Sequence, residues 1–120
     1  MLCRFGGLYG QVDAKILNAC NLSIGPNQSD NWRYHDARAI ARILSGDFFG
    51  GIEDLKQAQN LTQKELEAIA PQLDPNEPSP YFVDELKRTR EEWERWLIQL
   101  QRGRNPISEE VRNQKLSEFL

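Results

Sequence analysis

The chain has one histidine, His35, and two cysteines, Cys3 and Cys20, and these three residues bound most of the chemistry open to it. A Ser-His or Cys-His nucleophile pair would have to use His35. No serine or cysteine stands in the strand-to-helix turn that lifts a nucleophile out of its surroundings. One imidazole and two distant cysteines do not make a zinc site. Gly6, Gly7 and Gly10 form a glycine-rich stretch, but no Lys-Ser or Lys-Thr pair follows to cradle a phosphate. Asp47, Glu53 and Asp54 flank Gly50-Gly51, with Lys56 next; they read as solvated helix-start residues near a positive dipole end. No catalytic, cofactor-binding or metal residue is assigned, and the chain is expected not to be an enzyme. Cys3 and Cys20 are expected to stay thiols, with Cys20 a small buried residue. His35 is read as an inner or boundary residue of a helix.

Three short stretches resemble pieces of known families. His35-Asp36 resembles the paired motif of metal-dependent phosphohydrolases, which need several histidines. His35 with Arg38 resembles the phosphorelay transfer domains, small bundles in which a basic residue follows the phosphorylated histidine by three places. A glycine comes next in that family, and here it is Ala39. That resemblance implies phosphotransfer through His35, a remote alternative. Leu61-Thr-Gln-Lys-Glu-Leu66 resembles the opening of the first helix in helix-turn-helix regulators and implies nucleic-acid binding. It departs from that pattern at Glu67, where a small residue is usual, and at Ala70-Pro71, where a short turn is expected. The next helix would open with Asp84 and Glu85 near its N-terminus, where they repel phosphates. The basic residues available to a nucleic acid are Arg38 and Arg42, one turn apart, and Arg102, Arg104, Arg112 and Lys115.

The elements that would position these residues are helical. The strongest runs from about Pro80 to Arg102. Ser79 is read as its N-cap, Pro80 as its first residue and Gly103 as its left-handed stop. Phe82, Leu86, Thr89, Trp93, Trp96 and Leu100 form a seam with a period near 3.5, widened by Val83 and Leu97. At 1.5 Å per residue this helix is roughly 33 Å long. Ahead of it, residues 11–22 read as a short helix around Val12, Ile16, Ala19 and Cys20. Residues 30–45 read as a second, capped by Asp30 or Ser29 and ended by Gly46. Its inner stripe is Trp32, His35, Ala39, Ile43 and Leu44, with Ile40 beside it. Phe48 and Phe49 are expected to plug the core. Residues 52–59 read as a short helix. A separate one opens at the Thr62–Glu65 capping box, with Leu61 and Leu66 as a hydrophobic staple, and stops at Pro71. Residues 72–79 are a proline-bounded linker. Ser108 caps a last helix within residues 104–120, carrying Val111, Leu116, Phe119 and Leu120.

The expected fold is all-α: one helical domain over residues 1–120, a compact bundle of five or six helices with the 80–102 helix as spine and residues 1–10 as an arm. The 120 residues are 39% hydrophobic and 28% charged, with a net charge of −3, ordinary for a globular protein without a global pull toward nucleic acid or anionic membrane. No apolar run is long enough to span a bilayer, and the first residues lack the apolar region of a signal peptide, so a cytoplasmic protein is expected. The reading that fits best is a protein-interaction module: an accessory, adaptor or regulatory subunit that binds another protein, or itself through the long helix. Trp93, Trp96, Leu97, Leu100 and Phe119 are its candidate contact residues, although the fit of Trp93 and Trp96 to the seam favours a place in the core for those two. Nucleic-acid binding is the competing class.

Overall fold

The computed structural model describes Cys3, residues 14–25 and residues 30–117. The described residues form an all-α bundle with five α-helices: α1 (Ala14–Ile24), α2 (Trp32–Leu44), α3 (Phe48–Ile69), α4 (Tyr81–Gln101) and α5 (Glu109–Ser117). No described helix is long and apolar enough to cross a membrane. The arm expected over residues 1–10, Val12 in the first helix, the Ser29 cap, and Phe119 and Leu120 lie outside the described residues, Cys3 excepted.

Local sequence explains the boundaries. Asn31 accepts the Arg33 amide on its side chain at 3.0 Å and opens α2, one residue later than the Asp30 or Ser29 cap expected. Gly46 closes it at φ +93, with its own N–H on the Ile43 carbonyl and that of Asp47 on the Arg42 carbonyl, the paired bonds of a Schellman stop. Gly103 closes α4 in the same way, at φ +72, with Gly103 on Leu100 and Arg104 on Gln99. At the other end of α4, Ser79 does not cap. Pro80 itself stands in the cap position, with no side-chain cap bond, and its carbonyl receives the Val83 and Asp84 amides at 3.0 and 3.3 Å. Ser108 accepts the Val111 amide at 3.2 Å and opens α5, as its sequence indicates.

The region 48–69 differs most from the sequence reading. It is one continuous 22-residue helix, not a loop, a short helix and a second helix. Asp47 opens it by accepting the Gly50 amide at 2.9 Å, so Phe48 and Phe49 lie in the first turn. Phe48 packs against the core, but Phe49 points out and is 74% exposed. Thr62 starts nothing. It is fully buried in mid-helix, and its hydroxyl donates back to the Ala58 and Gln59 carbonyls at 2.9 and 3.1 Å, which gives a buried hydroxyl a partner without interrupting the helix. Leu61 is buried within the same helix rather than stapling a new one. After Ile69 the chain tightens into a 3-10 turn at Ala70–Gln72, with Pro71 near its start, then crosses to α4 through an Asp74-centred turn.

That merger changes which helix is central. α3 packs against both α2 and α4, whereas α1 packs on α2. The long helix α4 is therefore one wall of the bundle and not the spine on which the others lie. Its large side chains still dominate the core. Trp93, Trp96 and Leu100 are buried with Ala39, Ile40 and Ile43 of α2, Leu55 and Ala58 of α3, and Ile107. The α2–α3 crossing is tight because it runs over two glycines. A Cβ on Gly51 would stand 2.6 Å from Ile43 Cγ1, and one on Gly50 would stand 2.9 Å from Arg42 Cδ.

A second cluster holds α1 to the far side of α2. Cys3 and Cys20 form a disulfide, Cα–Cα 4.8 Å, buried with Ile16, Ala37 and Ala41. This corrects the expectation of two thiols. Burial of Cys20 is as expected, but its neighbour is the other sulfur. Such bonds persist in oxidising compartments, whereas the expectation of thiols assumed a reducing one.

Candidate interaction groove

Two constellations of polar and aromatic side chains stand out. The first is closed. Asp54, on α3, is almost fully buried. Arg38 lays its guanidinium fork on it, Nε donating to Oδ2 at 2.9 Å and Nη2 to Oδ1 at 2.7 Å. Arg42, one turn along α2, adds Nη1 to Oδ2 at 3.1 Å and to the Gly50 carbonyl at 3.3 Å. The remaining Arg38 amine reaches Asn21 on α1 at 3.1 Å, so one side chain ties three helices. His35 is buried beside them, its Nδ1 3.9 Å from Asp54 Oδ1. On the other side of α2, Asp36 accepts the Trp93 indole N–H at 2.9 Å.

The arrangement satisfies a buried carboxylate; it does not present one. Asp54 faces two half-buried arginines, and the bidentate fork is the geometry that compensates best for desolvation. The ring of His35 has no open path for a phosphodonor. Arg38 and Arg42, named as candidates for nucleic acid, are engaged inward. The other basic candidates are not brought to them: Arg102 and Arg104 are exposed past the end of α4, Arg112 is half-buried on α5, and Lys115 is paired with Glu92 at 2.6 Å. Leu61 to Leu66 lie inside α3, so no helix opens where the helix-turn-helix resemblance requires one. Among the described residues, no three His, Cys, Asp or Glu side chains are grouped to hold a metal ion.

Of the candidate contact residues on α4, Trp93, Trp96 and Leu100 are core and Leu97 is half-buried against it. Trp93 meets Trp32 edge to face at 5.4 Å between ring centroids. Besides Phe49 on α3, the exposed aromatics among the described residues are at the start of α4: Tyr81 is 73% exposed and Phe82 is 55% exposed.

Phe82 is the informative residue. At 3.6 residues per turn it sits about five whole turns before Leu100, hence on the same face of α4 as Leu100, Trp93 and Leu86, all of which are buried. It is open because α2 begins at Trp32, beside Trp93, so the turns of α4 before Trp93 run past the start of that helix. Val83, a residue round the helix, is buried in its place, near Leu66 and Ile69 at the end of α3. The sequence seam was right in phase and wrong in extent.

The result is a groove of about 560 Å3 between Trp32, Arg33 and Asp36 of α2, one face of α4 running from Tyr81 to Arg95, Glu65 of α3, and Gln114 and Lys115 of α5. Its floor includes the buried Leu86. Its rim carries two guanidiniums laid on rings, Arg33 over Trp32 at 4.5 Å and Arg88 over Tyr81 at 5.8 Å. No protein-family model, curated protein or solved structure matches the chain.

Proposed function

We propose that the chain is a helical protein-interaction module, an accessory, adaptor or regulatory subunit without catalytic activity of its own, and that it engages its partner through the groove at the N-terminal end of α4. The observation that carries this is Phe82: an aromatic in phase with the buried face of α4, yet 55% exposed where no described helix covers it. Large apolar side chains collected at one open site mark contact surfaces more often than scattered single ones do, and aromatic and arginine side chains are the residue types enriched there. Tyr81, Phe82, Trp32, Arg33 and Arg88 supply both.

A second copy of the chain is the simplest partner. Self-association through the seam residues Trp93, Trp96 and Leu100 would require opening the core, so the contact runs through Tyr81 and Phe82 instead. The experiment pairs light scattering with a photoreactive phenylalanine analogue at position 82. A partner cross-linked at 82, whose purified form loses at least about tenfold in affinity on Phe82→Ser, meets the expectation for an interface anchor. A partner whose affinity is unchanged by Phe82→Ser and Tyr81→Ser would place the contact elsewhere and end this reading. Nucleic-acid binding, the competing class, predicts a mobility shift that weakens steeply with salt and on removal of Arg102 and Arg104.

A further inference from the structure

We infer that two copies of the chain pair through this groove with their α4 helices antiparallel, about a twofold axis between Glu85 and Arg88, so that Glu85 of each copy meets Arg88 of the other. This rests on the groove reading above and specifies how the second copy docks.

Three observations converge. The first is the balance of charge. The groove lining holds four basic and four acidic side chains, Glu65 and Glu85 among the acids. Such a lining has no net pull on a polyanion or on an acidic peptide. It suits a surface balanced in the same way, and in an isologous contact that surface is the groove itself.

The second is the order of the charges. Tyr81, Glu85, Arg88, Glu92 and Arg95 all line the groove and follow one another along α4 at steps of four, three, four and three. That spacing keeps them on one stripe of the helix, flanking the buried face that carries Leu86, Trp93 and Leu100. Their signs alternate after the tyrosine: acid, base, acid, base. Read in reverse, the series is base, acid, base, acid. An antiparallel copy therefore sets opposite charges against each other, whereas a parallel copy in register sets like against like. Charges placed in this way choose the orientation more than they supply the affinity.

The third is which of these charges the chain itself already uses. Lys115 of α5 holds Glu92 at 2.6 Å, at the far end of the groove from Phe82. Glu85 and Arg88 are both exposed and lie within two turns of Tyr81 and Phe82. An axis midway between them brings the open ends of the two grooves together. Phe82 and Thr89 are on the same side of the stripe, two turns apart, so the axis sets Phe82 of each copy along Thr89 of the other. The exposed rings then supply apolar area, and the charge pairs set the register.

The test follows the full chain over rising concentration by light scattering and sedimentation. The wild type is expected to dimerise. Glu85→Lys and Arg88→Glu are each expected to weaken the dimer by about tenfold or more, since each sets like charges across the axis. An equimolar mixture of the two variants is expected to recover the wild-type affinity to within about threefold, because every pair across the axis is again opposite. Two variants that had only lost their fold would not restore each other. If the reversals change nothing, or the mixture shows no recovery, while Phe82→Ser dissociates the wild-type dimer, this pairing is overturned and the groove reading stands. A dimer indifferent to the reversals and to Phe82→Ser overturns both. A wild type that stays monomeric overturns the pairing and leaves the groove reading to the partner cross-linked at position 82.

Discussion

The Asp54 cluster and the Phe82 groove both bring arginines and acids together, and they end in opposite states. Around Asp54 the arginines converge on one carboxylate and on backbone and amide oxygens, drawing three helices together. Around Phe82 the arginines stand over aromatic rings, and the helix that would complete the packing begins too late to cover them. Charge paired inside the bundle specifies how its own helices meet. Charge stacked at an open rim is available to something else.

The contrast can be broken at either region. Asp54→Ala should have the largest effect. It leaves Arg38 and Arg42 turned inward without their carboxylate, and loss of one partner of a buried pair costs about 3–5 kcal/mol, to be read as a lowered denaturant midpoint at unchanged slope. Replacing Cys3 and Cys20 together by serine should cost about 3 kcal/mol, since their separation of 17 residues sets the loop the bond closes. Hydrogen exchange should localise that loss to α1. Trp93→Phe keeps a ring in the core but takes the indole donor from Asp36, for about 1–3 kcal/mol by thermal or chemical unfolding. Phe82→Ser should change stability by no more than about 0.5 kcal/mol, because the residue it replaces is already largely in water. A loss of several kcal/mol there would make Phe82 a core residue and erase the difference between the two regions.

Much of the fold was legible because it depends on local signals. Gly46 and Gly103 mark their helix ends through a backbone conformation that few other residues adopt, and Ser108 caps α5 through one hydroxyl. The burial of His35, Ala39, Ile40 and Ile43 follows from spacing alone. The continuity of α3 was not legible. A Thr followed three residues later by Glu matches a helix start, and the same threonine satisfies its hydroxyl equally well inside a helix by bonding back one turn. Only burial against neighbours decides between the two. The Asp54 cluster was missed for a similar reason. An acid near glycines resembles a solvated helix start until tertiary contact brings Arg38 and Arg42 onto it. The available clue was the pair of arginines at i and i+4 directly beside an apolar stripe, an expensive place for unpaired charge. The groove lay beyond reach of any pattern, since it depends on where α2 begins relative to α4.

The two glycines at the start of α3 carry a last consequence, for the order of events in folding. They let α2 and α3 close face to face across a connection of Ser45, Gly46 and Asp47, so that Ile43, Arg42 and the first turns of α3 meet at short sequence separation. Contacts of that kind need little loop closure and form early. The α2–α3 hairpin is therefore the expected nucleus, with Ile43→Val slowing folding in proportion to its stability loss. α4 would then dock its tryptophans onto a surface already made, and Trp96→Leu would act chiefly on the unfolding rate.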